Sequence, residues 1–216
     1  MSLSLLPRHA LVKTNELDQG DWNYRRGPLG SISRRRFSMA TSLLDAEPVA
    51  RLLEVGYASG IFLPELARHA RAVDGVDLHA EGAKVTKVLA ARGVPARLLA
   101  GSVTNLPYRD GTFDIVASVS TLEFVDDLDE ACLELGRVLR PGGALVVVTP
   151  GSGKMLDAGL TVLSGERPED TFQGRRQRII PTLRRHFRLE RGAVFPPLAP
   201  PTLRLYTALR LGKRSP

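Results

Sequence analysis

The chain has one cysteine, Cys132, in 216 residues. A lone thiol can neither close an internal disulfide framework nor build a multi-cysteine metal site, so no metal is expected. Cys132 falls at an apolar helical position and reads as a small buried hydrophobe. Aromatic residues are scarce, at 6 % with one tryptophan. They do not interleave with basic residues in a stripe suited to unpaired bases, and no nucleic-acid motif is present. No apolar run reaches 18 residues, so no membrane span is expected. The opening stretch lacks the charged, apolar, small-residue order of a secretory signal, which makes the cytoplasm the expected location. Histidines are few: His9, His69, His79 and His186. All four lie outside the motif loops described below, and His69 and His79 read as solvated residues beside the first two helices.

Hydrophobic residues at 43 % and charged residues at 25 % suit a globular domain with a substantial core. The net charge of +7 is unevenly placed. Residues 50–150 carry 10 basic and 13 acidic side chains, whereas the flanks carry 20 basic and 10 acidic. Clusters such as Arg34-Arg35-Arg36 and Arg184-Arg185 could attract an anion. A solvated helix face explains them as well, and no specific nucleic-acid partner is expected.

From residue 51 apolar runs alternate with amphipathic stretches. RLLEVG (51–56), AVDGVDL (72–78), ARLLAG (96–101), FDIVASVS (113–120) and ALVVVTP (144–150) read as strands. IFLPELARHAR (60–70), EGAKVTKVLAARG (81–93) and DDLDEACLELGRVLRPGG (126–143) read as helices. Strands apolar on both faces and separated by helices predict a parallel sheet covered on both sides. Ahead of them lie a loop and a basic helix, at about 31–45. Behind them, 155–186 reads as helical with a break near 165–168. FRLERGAVF (187–195) and TLRLYTALRLG (202–212), joined by a proline-rich turn, predict an antiparallel hairpin at the sheet edge.

The sharpest local signal is LLEVGYASGIF. A strand ends at Glu54-Val55, a turn holds Gly56 and Gly60, and a helix is expected to open near Gly60. Glycines free that turn and let backbone approach a ligand; a helix N-terminus there would aim N–H groups across the strand ends. In open α/β sheets that crevice is the default ligand site. Asp77 ends the next strand, 21 residues beyond Gly56. An acid at that distance can accept both hydroxyls of a ribose, although a strand-end Asp can also cap the helix that follows.

LEVGYASG, VDGVDL, GSVTNLPYRDGTFDIV, STLEFV and LGRVLRPGGALVVVTP stand in the order and spacing of one family. Over roughly residues 50–150 the sequence resembles the class I S-adenosylmethionine-dependent methyltransferases of the quinone- and small-molecule-methylating type. The resemblance implies a Rossmann-like three-layer sandwich: a mostly parallel seven-stranded sheet with an antiparallel C-terminal hairpin. It implies S-adenosyl-L-methionine as cofactor and a small-molecule methyl acceptor as partner. Glu54 and the turn Gly56, Tyr57, Ala58 to Gly60 would hold the methionine part. Asp77 would take the ribose, with Leu78 beside the adenine and Ser102 and Val103 lining the adenine pocket. Ser118, Val119 and Ser120 would flank the sulfonium and the acceptor. Three positions depart from the pattern: Ala58 replaces a usual glycine, Ser102 a common aspartate, and Phe124 a frequent histidine. No catalytic base is assigned.

Residues 1–49 are expected to form an arm and basic helix serving as a lid or cap, and 50–216 the methyltransferase domain. In the arm, Trp22 and Tyr24 could close over the cofactor, with Tyr24 near its carboxylate, or could anchor the arm to the core. The expected activity is methyl transfer to an O, N or C centre. The alternative is a cofactor-binding regulator or assembly protein without transfer activity. A homodimer is left open.

Overall fold

In the computed structural model, residues 3–14, 20–152 and 174–214 are described. Strands β1 (Val49–Val55), β2 (Ala70–Asp77), β3 (Arg97–Ala100), β4 (Phe113–Val119), β5 (Leu139–Pro150), β6 (Phe187–Phe195) and β7 (Tyr206–Lys213) form one sheet in the order β3-β2-β1-β4-β5-β7-β6. The first five run parallel. β7 pairs antiparallel with β5 and with β6, which is the expected edge hairpin. The order reverses between β1 and β4, so the crevice outside the carboxyl ends of β1 and β4 is a topological switch point.

Alternation along the strands builds two cores. Leu52, Ile115, Ala117, Val146 and Val148 face one side, against Phe37 and Leu43 of the N-terminal segment, Leu66, Val85 and Leu89. That side carries α1 (Pro28–Thr41), α2 (Leu63–Leu66) and α3 (Gly82–Ala90). Leu53, Val116, Leu145 and Val147 face the other, against Leu135 and Ile179, and there lie α4 (Leu128–Val138) and α5 (Arg175–His186). This is the three-layer sandwich. Cys132 lies in the second core, 2 % exposed, its thiol pushed up to about 12 chiefly by burial. That removes it from thiolate chemistry.

Local chemistry sets several boundaries. Pro28 opens α1, where its missing N–H costs nothing. The Asp127 carboxylate accepts from the Glu130 N–H at 3.0 Å and caps α4. Two expectations are corrected. Residues 139–143, read as the end of a helix, belong to β5, and α4 ends at Val138. The stretch 60–70 does not form a full helix, since α2 is a single turn of 4 residues. β2 begins at Ala70, paired with Val49, and Ala72 pairs with Arg51. The β1–β2 ladder takes Ala70, the last residue of the stretch that helical spacing assigned to the helix. The helical reading of 155–186 falls largely on residues outside those described; within them, Arg175–His186 is helical.

Candidate functional site

A cavity of about 380 Å³ opens at the carboxyl ends of β1, β2 and β3 and above the segment after β4. That size lies within the range of roughly 300–1,000 Å³ usual for small-molecule sites. Gly56, Ala58, Asp77, Leu78, Ser102 and Val103 line it, together with Ser120, Thr121 and Phe124. The sheet thus brings together eight of the residues singled out in the sequence, all but Thr121 among these nine.

Gly56 needs glycine for two reasons. Its φ is +78°, and a Cβ there would fall 2.2 Å from the Thr121 Oγ1. The neighbour it spares is therefore the turn after β4, which also lines the cavity. Gly60, at φ +74°, spares Val85 in α3 and serves packing. Two residues other than glycine also take positive φ at the cavity, Ala58 at +44° and Ser120 at +55°. Such conformations concentrate at functional sites because the surroundings must impose them.

Asp77 is 13 % exposed at its side chain. Its Oδ2 accepts from the Ala58 N–H at 2.8 Å, so this carboxylate holds the neighbouring turn as well as facing the cavity. Beside it Leu78 is 79 % exposed. A large apolar side chain so exposed at a cavity rim provides a surface for a flat ring. Ser102 lines the cavity, but its hydroxyl lies 2.7 Å from the Thr104 hydroxyl and accepts from the Thr104 N–H. It closes its own loop.

Other expected residues lie behind the cavity wall. Glu54 is 3 % exposed, and its Oε2 has no hydrogen-bond partner. Burial, then the Asp77 charge, pushes its carboxyl up to about 8. The Ser118 hydroxyl is buried without a partner, as is that of Ser120. Tyr57 points into the first core, and Val119 packs there too. Tyr24 is not at this cavity. Its hydroxyl donates to the Leu6 carbonyl, and its ring borders a separate cleft with Leu5, Arg34 and Arg35. Asn23, fully buried, accepts from the Ser33 hydroxyl at 2.8 Å, which fixes the arm on α1.

The raised Glu54 carboxyl has a consequence for stability. Between the ordinary value of 4.5 and about 8 the folded state holds a proton that the unfolded chain releases. Its contribution is full below the lower limit and is lost as pH rises through the upper one. Urea unfolding of wild type should therefore show stability falling across this window. Glu54→Gln should flatten the upper part, leaving a slope from Glu123, whose buried carboxyl is pushed up to about 7. A variant with an unchanged slope would show Glu54 to be ionised in the folded chain.

Several features were not read from the sequence. Thr121 abuts Gly56 only through folding. His79, expected in solvent, is 9 % exposed and bonds to the glycine turn. His69 lies 3.5 Å from Glu65, and His186 lies 2.7 Å from Asp129. Many flanking arginines also have internal partners: Arg175 with Asp126, Arg185 with Asp129, Arg210 with Asp45. Among the described residues no cluster of acids, histidines and cysteine could hold a metal, and no helix is long and apolar enough to cross a membrane.

Comparison with known proteins agrees with this geometry. A methyltransferase-domain family matches residues 53–147. The malonyl-[acyl-carrier protein] O-methyltransferase of Geobacter sulfurreducens is 33 % identical over 57 % of this chain and 48 % of its own length. The matched stretch thus spans about half of that relative. Among solved structures, the [4+2]-cyclase SpnF superposes with a TM-score of 0.69 at 19 % identity, covering 88 % of this chain and 85 % of its own. The N-methyltransferase NodS of Bradyrhizobium japonicum, in complex with S-adenosyl-L-homocysteine, gives 0.67 at 18 %, covering 92 % and 94 %. At such identities these structures speak for the fold alone, and a cyclase among them shows that the fold does not by itself name a reaction. The family match and the sheet order point the same way: over residues 53–147 the chain is similar to methyltransferase domains.

Proposed function

We propose that the chain transfers the methyl group of S-adenosylmethionine to a small-molecule acceptor. The observation that carries this reading is the cavity itself, lined by a carboxylate, an exposed leucine and a glycine turn. The residues fit the cofactor. Asp77 would accept from the ribose hydroxyls, and Leu78 and Val103 would sandwich the adenine. Glu54, with a buried oxygen lacking a partner, would receive the ammonium end.

When bound, the cofactor supplies a sulfonium whose methyl group is already electrophilic. The chain's own task is alignment and exclusion of water. Val55, Gly56 and Thr121 wall the cavity near the turn, and Phe124 adds apolar cover. Among the described residues no imidazole lines it. A neutral amine or a carbon acid needs a base to shed its proton. A carboxylate or a readily ionised phenol does not, so for such acceptors alignment alone would suffice. In this reading residues 1–49 form a fixed cap on the domain of residues 50–216.

The test is a labelled-methyl assay over carboxylic acids, phenols, amines and quinone precursors, with calorimetric titration of S-adenosylhomocysteine beside it. Binding together with methyl esters or ethers as products is expected. Binding without transfer to any acceptor would favour a regulatory role, and absence of binding would overturn the proposal.

A further inference from the structure

Among the described residues, Ala58 is one of two non-glycine cavity residues at positive φ. It lies in the turn closed by the Gly60 N–H on the Tyr57 carbonyl at 2.7 Å. An L-residue with a Cβ resists the φ of +44° found there. Something must hold it, and both of its backbone polar groups are held from the same loop. Its N–H donates to the Asp77 Oδ2 at 2.8 Å. Its carbonyl lies 3.0 Å from the His79 Nε2.

The imidazole is itself fixed. The His79 Nδ1 accepts from the Glu81 N–H at 3.0 Å, so that nitrogen carries no proton and Nε2 must be the donor to Ala58. The ring meets Tyr57 edge to face, with centroids 4.9 Å apart, and its side chain is 4 % exposed. The Glu81 amide selects the tautomer and Tyr57 selects the ring plane. The ring's one N–H bond then reaches the strained residue.

We infer that His79 is a positioning residue which, with Asp77, grips the two backbone groups of Ala58 and keeps an alanine in a left-handed turn that the cofactor site requires. Without the grip the Ala58–Ser59 peptide is free to rotate. Its carbonyl can then turn toward the cavity, where it would oppose an anionic group of the ligand. The inference rests on the cofactor reading above for its effect on binding, but the grip exists without any ligand.

Two substitutions separate the hydrogen bond from the bulk. His79→Phe keeps a ring against Tyr57 and removes the donor; His79→Gln keeps an N–H that can reach the carbonyl. His79→Phe should weaken S-adenosylhomocysteine binding about tenfold, the loss expected for one buried hydrogen bond. His79→Gln should recover most of it. Ala58→Gly removes the need for the grip, because glycine takes the left-handed conformation freely. Added to His79→Phe, it should regain at least about half of the lost affinity. Unchanged affinity in H79F, or a loss that Ala58→Gly does not relieve, would overturn the inference.

Hydrogen exchange of the Ala58 and Gly60 amides, measured without ligand on the full chain, gives a readout independent of binding. Exchange should be faster in H79F than in wild type, and H79Q should stay close to wild type. Should wild type fail to bind S-adenosylhomocysteine while H79F still exchanges faster, the functional proposal falls and the grip stands. Equal exchange in all three proteins would remove the grip. Should H79F not fold, fast exchange in H79Q would overturn the inference, and wild-type protection there would support it.

Discussion

Gly56→Val should abolish binding of S-adenosylhomocysteine, and it should also destabilise the fold. The second effect does not follow from the sequence, where a side chain at this turn reads as facing only the ligand. The structure puts Thr121 in the way, with an added Cβ 2.2 Å from Oγ1 and 2.3 Å from Cγ2. Two costs combine. A residue with a Cβ at φ +78° loses about 1–2 kcal/mol. Overpacking against a side chain that cannot withdraw costs about 1–3 kcal/mol more. The strain is released by moving the turn after β1 away from the turn after β4, and both turns line the cavity. Chemical denaturation and calorimetry should both report the change. Thr121→Gly in the same chain should recover stability by removing the clash but not the φ penalty. A Gly56→Val protein with wild-type affinity would mean that this turn has no part in cofactor binding.

The second large effect belongs to Asp77. Its carboxylate has two tasks, the proposed ribose contact and the bond to the Ala58 N–H at 2.8 Å. Hydrogen bonds to a charged group are worth about 1.5–3 kcal/mol each. Asp77→Ala should therefore weaken S-adenosylhomocysteine by well over the tenfold expected for H79F. Asp77→Asn keeps one oxygen for Ala58 and should fall between wild type and Asp77→Ala. Titration calorimetry of the folded variants decides this. Equal affinities for Asn and Ala would place the whole effect on the lost charge, and unchanged affinity in both would remove Asp77 from the site.

The contrast between Asp77 and His79 shows how far the site could be read from the chain. Asp77 was legible because it ends an apolar strand at a fixed distance from a glycine turn, and both cues are local. His79, two residues on, looked like a solvated residue before a helix. Its burial depends on Ala58 and Tyr57, which lie some twenty positions earlier and arrive only when β1 and β2 pair. Glu123 was likewise passed over, because nothing nearby in sequence announces a carboxyl that is 2 % exposed. Tyr24 was legible as an anchor or a lid, and only the Leu6 carbonyl and the Asn23–Ser33 bond favour the anchor.

Hydrophobic alternation, helix caps and glycine placement are properties of a few consecutive residues. They suffice for seven strands, the parallel sense of the first five and the edge hairpin. They also point to the crevice where a ligand should sit. What spans the chain needed the tertiary structure. The β1–β2 ladder took Ala70 from the helix expected after the glycine turn, Thr121 became the reason for Gly56, and His79 came to share Ala58 with Asp77. In each case a hydrogen bond or a steric limit joins segments distant in sequence, and periodicity carries no information about such a pairing.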